Sequence, residues 1–253
     1  MSQSLNFDPQ LPDLPFTFDR DAVTRLFEQR WPGPGDSPAI TKIRAQDTKY
    51  QPALRCVTTY ELLAERAGAP PQRTIGVVEI TPSGIAHRLY DDDPRLPWLA
   101  PATDPSLMRG RFADLLTSTA IESCAITPVR YKPGARCVFR YDLDTTAGRQ
   151  VYFGKLLAEG DDQLMATIGA LHEASESLRE MPRIPRPLAH WPELHMLLQP
   201  EVAGGAELND LAFDQAQGAA LRERWLREAG ARLAGLHTTR VDGPPRTLED
   251  DLA

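Results

Sequence analysis

The stretch "RYKPGARCVFRYDLDTTAGRQVYFGKLL", residues 130–157, sets the fold class. It reads as a strand, a tight turn at Pro133-Gly134, a second strand, a turn over Thr145 to Gly148, and a third strand. In the third strand Val151, Phe153 and Lys155 point one way, and Tyr152, Gly154 and Leu156 the other. Short turns join successive strands only antiparallel, so the segment predicts a β-meander. A helix follows from Asp161-Asp162, with Leu164, Met165, Ile168, Leu171 and Leu178 at helical spacing. "MPRIPRPLAHW" and "LHMLLQPEVAGG" predict two further short strands. A last helix runs from about Asp214 to His237.

The same pattern occurs earlier as "KYQPALRCVTTYEL", residues 49–62. A gapless slide onto residues 130–143 matches Tyr50 with Tyr131, Pro52 with Pro133, Arg55 with Arg136, Cys56 with Cys137 and Tyr60 with Tyr141. "RTIGVVEIT" then parallels "RQVYFGKLL" and sets Glu79 where the second copy has Lys155. A carboxylate there repels phosphate, so the first copy is expected to pack and not to bind. Chance similarity of two amphipathic hairpins is the competing explanation.

Around the first copy, residues 1–18 read as an irregular arm. Asp19 or Asp21 caps a short helix with Val23, Leu26, Phe27 and Trp31 on one face, and "WPGPGDSP" breaks it. "HRLYDDDPRLPWLAP" reads as a loop whose three aspartates form a solvated acidic turn in preference to a metal site. Asp104 and Pro105 mark a helix start, with Met108, Phe112, Leu115 and Leu116 as its buried stripe.

Composition narrows the function classes. The 253 residues carry a net charge of −7, which argues against a nucleic-acid or membrane-surface role. Cys56, Cys124 and Cys137 show no CxxC spacing, so a disulfide scaffold or a zinc site is not expected and a cytoplasmic location is. The N-terminus has no basic, then apolar, leader pattern.

A meander with a lysine in its third strand, a helix bearing glutamates, two more strands and then "QPEVAGG" meets the needs of a nucleotide cradle. A turn offers backbone N–H groups to phosphates. A strand lysine meets them as a point charge, and a helix glutamate holds that lysine.

In these pieces, and in "AGARLAGLHTTRV", residues 121–240 resemble the aminoglycoside phosphotransferase family, the kinase-like small-molecule phosphotransferases. The resemblance implies an α+β fold: a protein-kinase-like small lobe, antiparallel sheet plus helix, with an N-terminal extension and only the start of the large lobe. It implies an N-terminal α+β region at 1–120, the small lobe at 121–203 and the beginning of a helical large lobe at 204–253. Lys155 becomes the phosphate lysine and Glu173 its helix partner, with Glu176 one turn on. The turn containing Lys132, Gly134 and Arg136 covers the phosphates, and Gln199, Glu201 and Val202 belong to the adenine-facing hinge. ATP is the implied cofactor, with Mg²⁺ expected for the family.

Read without the resemblance, Lys155 is an exposed strand lysine, Glu173 one of several glutamates on a wet helix face, and Gly134 a hairpin glycine. His237 receives no catalytic role.

The family's catalytic aspartate and asparagine follow the "LAGLH" helix. Here the only asparagines are Asn6 and Asn209, and no histidine begins an HxDxxxxN pattern. No catalytic residue and no metal ligand is therefore assigned. The chain is expected to be a truncated, ATP-binding portion of a phosphotransferase acting on a small-molecule hydroxyl, inactive alone and prone to self-association through an uncovered lobe surface. A non-catalytic interaction module, or a pseudokinase-like binding protein, is the alternative.

Overall fold

The computed structural model describes residues 8–30, 39–66, 68, 71–159, 162–202, 204 and 218–240. The chain divides into two compact units, residues 1–149 and 150–253. Trp31, Asn209 and the segments 205–217 and 241–253 lie outside the described residues, as does the start of the last helix near Asp214.

In the first unit, helix α1 (Arg20–Arg30) precedes a four-stranded antiparallel sheet in the order β1 (Ala39–Gln51), β2 (Arg55–Glu65), β3 (Gln72–Thr81), β4 (Gly84–Leu89). Asp19 caps α1, its Oδ1 accepting from the Ala22 N–H at 3.0 Å. The spacing of Val23 and Phe27 puts both on one face, and both are fully buried. They share a core with Leu11, Cys56, Tyr60, Leu62, Val78 and Ile80. Burial of a side chain such as Phe27 stabilises by roughly 2–3 kcal/mol. Close approach decides one glycine: a Cβ at Gly76 would overlap the Phe27 ring, whose Cε1 would lie 2.6 Å away.

Two sequence readings change here. Residues 8–18 are not a free arm, because Leu11 is fully buried and Leu14 to Phe18 form a 3-10 turn against the core. Residues 87–89, read as the start of a loop, belong to edge strand β4, paired with β3 from Gly76↔Leu89 to Thr81↔Gly84.

A short helix α2 (Leu99–Ala102) and helix α3 (Pro105–Leu115) follow. As expected, Asp104 caps α3 with Pro105 at its first position, and Met108 and Phe112 are fully buried; Leu115 and Leu116 are only half-buried. The hairpin β5 (Ile121–Lys132) and β6 (Arg136–Thr145) packs on α3 through Phe112 and Tyr141, whose rings lie 5.3 Å apart.

The second unit holds most of β7 (Gly148–Leu157), helix α4 (Asp162–Ser177), β8 (Ala189–Trp191), β9 (Met196–Pro200) and helix α5 (Ala219–Thr238). The second sheet has the strand order β5-β6-β7-β9-β8. The alternation expected for β7 holds: Tyr152, Gly154 and Leu156 are buried, and Val151, Phe153 and Lys155 are half-buried. On α5, Gly235 passes so close to residue 180 that a Cβ would sit 2.5 Å from the Glu180 carbonyl oxygen. Arg232 donates to the carbonyls of Arg179 at 2.8 Å and Met181 at 3.1 Å. The fold is α+β with two antiparallel sheets. Among the described residues no helix is long and apolar enough to cross a membrane.

Candidate functional site

The two sequence copies fold alike at their turns. In the first, the Leu54 N–H donates to the Gln51 carbonyl at 3.1 Å; in the second, Ala135 donates to Lys132 at 3.0 Å. Each turn has proline second and a positive φ third: Ala53 at 60° and Gly134 at 67°. That is the type II pattern, where glycine is free to go and alanine is strained. The flanking registers also agree, Tyr50↔Cys56 with Gln51↔Arg55, and Tyr131↔Cys137 with Lys132↔Arg136.

An aspartate clamps each turn. Oδ2 of Asp8 accepts from the Tyr50 hydroxyl at 2.9 Å and from the Ala53 N–H at 2.6 Å. Oδ2 of Asp93 accepts from the Tyr131 hydroxyl at 2.5 Å and from the Gly134 N–H at 2.7 Å. Each aspartate opens the same motif, "DPQLPDL" at residues 8–14 and "DPRLPWL" at residues 93–99. In each motif Oδ1 accepts from the N–H two residues on, Gln10 at 2.9 Å and Arg95 at 3.0 Å. The motif leucines Leu11 and Leu96 are both fully buried. The correspondence continues along the chain: Tyr60 donates to the Thr17 carbonyl at 2.9 Å, and Tyr141 to the Ala102 carbonyl at 3.0 Å. The repeat therefore extends well beyond the two hairpins.

The environments differ. Tyr50 is 47% exposed, whereas Tyr131 is 4% exposed and Asp93 3%. The solvated acidic turn expected at residues 91–93 holds for Asp91 and Asp92, but Asp93 is buried because its carboxylate organises the second turn. Burial, and then the hydrogen bond to Asp93, push the Tyr131 hydroxyl far above its usual pKa.

Both turns line one cleft of about 700 Å³ in the first unit. Its wall carries five basic side chains, Lys49, Arg55, Arg88, Arg95 and Lys132, against two carboxylates, Glu79 and Asp93. Arg55 donates from Nε to the Gln51 side-chain oxygen at 2.7 Å and lies 3.7 Å from Glu79. The charge of Lys49 lowers the Lys132 pKa, with further contributions from burial and Arg136 against an opposing one from Asp47. The aliphatic part of Arg95 lies along Gly134, with its Cδ 3.1 Å from where a Cβ would be.

The sequence-nominated residues divide between the units. Lys132, exposed, and Gly134, half-buried, line the cleft; Arg136 is half-buried and pairs with Lys132 across the β5–β6 turn. Lys155 sits half-buried on β7, opposite Leu197 of β9. Glu173 is exposed on α4. Gln199 lies opposite Phe153, and the Glu201 N–H donates to the Val151 carbonyl at 3.0 Å. Val202 is 56% exposed. Among the described residues no cluster of three or more His, Cys, Asp or Glu side chains is arranged to hold a metal ion.

Sequence reasoning missed Asp93, Lys49, Arg88 and Arg95. The recurrence of D-P-x-L-P-x-L was the available signal for the first and last of these. No family profile, curated protein or solved structure matches the chain.

Proposed function

We propose that residues 121–203 form the nucleotide-binding part of a kinase-type phosphotransferase, with ATP as ligand and a small-molecule hydroxyl as the acceptor of the complete machinery. The observation that supports it most is the strand order in the second unit. The chain leaves β7, runs through α4 and β8, and returns so that β9 pairs with β7. The Lys155 strand thereby adjoins the strand that leads into Gln199–Val202. A kinase small lobe needs this adjacency: the lysine meets the phosphates while backbone groups beyond the neighbouring strand meet the adenine edge.

Two assignments within the reading are weakened. The Gly134 N–H, meant for a phosphate oxygen, already donates to Asp93. Glu173 is exposed on α4, where solvent screens a charge pair. The lysine strand and the hinge are therefore the main support of the reading. No HxDxxxxN loop occurs in these 253 residues, so ATP binding without substrate-dependent turnover is the expected behaviour.

A melting experiment tests the reading. ATP at 100 times its Kd adds about 2.7 kcal/mol to the stability of the binding form. For 150–250 residues that is a rise of roughly 5–10 °C in Tm. Lys155→Met removes the rise. No rise with ATP in the unaltered chain favours the second reading, a non-catalytic binding module, which the duplicated and clamped turns support.

A further inference from the structure

We propose that the cleft reached by Gln51 of the first turn and Lys132 to Gly134 of the second binds a small polyanion carrying phosphate groups, held by Lys49, Arg95 and Lys132 with Arg88 behind them. It shares Lys132 with the nucleotide reading but does not rest on it, since Lys49, Arg88 and Arg95 have no role there and Lys155 does not line the cleft.

The charge count is the first argument. Five basic groups against two carboxylates is a local excess in a chain whose net charge is −7. The carboxylates are also already engaged. Asp93 accepts hydrogen bonds from Tyr131, Gly134 and the Arg95 N–H, and Glu79 faces both Arg55 and Arg88.

The second argument is that the cations are under-neutralised. Among the described residues neither Lys49, Lys132 nor Arg95 has a carboxylate in ion-pair range. Lys49 and Lys132 both line the cleft, where their like charges oppose each other and Asp47 offsets only part of this, and an anion set against both reverses the sign of the interaction. Arg88 is held 4.0 Å from both Glu79 and Asp93, beyond hydrogen-bond distance, and its Nε is buried without a partner.

The third argument is chemical. Guanidinium forks with ammonium point charges match the several oxygens of a phosphate group better than a single carboxylate does. A volume of about 700 Å³ lies within the range of small-molecule sites. The turn that follows Lys49 on β1 and the turn that begins at Lys132 are also fixed, each by its aspartate, so the cationic walls are set before a ligand arrives.

Calorimetric titration of the 253-residue chain with pyrophosphate at low salt tests this. We expect saturable one-to-one binding, weakened at least tenfold by Lys49→Glu and by Arg95→Glu. Lys155→Met, and Lys42→Glu on the outer reach of β1, leave it unchanged. Lys49→Gln and Arg95→Gln weaken it in the same order, and as neutral polar changes they cover the case in which charge reversal unfolds the chain. No saturable binding overturns the proposal. So does a loss with Lys42→Glu equal to that with Lys49→Glu, which marks diffuse attraction. A loss confined to Lys155→Met places the ligand elsewhere and also overturns it. Citrate binding as tightly as pyrophosphate overturns the phosphate assignment.

Discussion

The backbone N–H of Gly134 donates a 2.7 Å hydrogen bond to the buried carboxylate of Asp93. The donor that a kinase-type turn would give to a phosphate is thus held by the protein itself, and the Tyr131 hydroxyl binds the same oxygen. Removing the carboxylate leaves both donors without their acceptor, the Tyr131 hydroxyl in a buried position and the Gly134 N–H at the cleft wall. Hydrogen bonds to charged groups contribute roughly 1.5–3 kcal/mol each, and a stranded buried donor costs a similar amount. We expect Asp93→Ala to lower stability to urea by about 3 kcal/mol. Asp8→Ala, at the exposed counterpart, should lower it by clearly less. Equal losses at the two positions would contradict the unequal burial of the two clamps.

Gly76 and Phe27 make a second test. A methyl group at Gly76 would displace a fully buried ring. Overpacking of this kind costs about 2 kcal/mol. Gly76→Ala should show that loss in equilibrium unfolding. The loss should shrink in a Phe27→Leu background, because contacting sites do not add. Strict additivity would mean that the sheet, not the ring, bears the strain.

The thiols of Cys56, Cys124 and Cys137 are free and buried. Burial raises all three above the ordinary thiol pKa, Cys124 to about 11. The thiolate is the reactive form, so little of it exists at pH 8. Labelling with a disulfide reagent should be slow in the native chain and rapid for all three in denaturant. Fast native labelling of any one would show that its strand opens.

Asp142 gives a pH dependence with a definite sign. Burial pushes its carboxyl up, but the hydrogen bonds and charges of Arg140 and Arg149 outweigh burial and leave it below the usual carboxylate value. Arg140 Nε lies 3.0 Å from Oδ2, and Arg149 Nε 3.1 Å from Oδ1. A depressed native pKa contributes stability above the unfolded value, about 3.9, and loses it as pH falls through the native one. Asp142→Asn should therefore cost stability at pH 7 and almost nothing at pH 2. Because Arg149 is 63% exposed, Arg149→Ala should cost less than about 1 kcal/mol. A mutational loss at Asp142 that persists at pH 2 would point to packing and not charge.

Much of the local structure was legible in the sequence. Asp104-Pro105 marked the start of α3, alternation placed Tyr152, Gly154 and Leu156 inward, and helical spacing found Val23 and Phe27. Each rests on neighbours within one or two turns of chain. The larger repeat was not found by a gapless slide, because the step from Asp8 to Asp93 is four residues longer than the step from Tyr50 to Tyr131. Asp93 was hidden in a run of three aspartates, of which only the tertiary position of Tyr131 selects one. The cleft was illegible for a related reason. Its cations come from β1, β2, β4, the loop before α2 and β5, and no spacing in the sequence links them. The first copy, expected only to pack, supplies Lys49, Tyr50, Gln51 and Arg55 to that cleft.

Hydrogen exchange of the chain with and without ATP tests the nucleotide reading most directly. Backbone groups at Gln199–Val202 and amides of β7 around Lys155 should slow with ATP, and Lys155→Met should abolish the effect. Protection confined to residues 49–55 and 132–136, or none at saturating ATP, would contradict an adenine-facing hinge after β9.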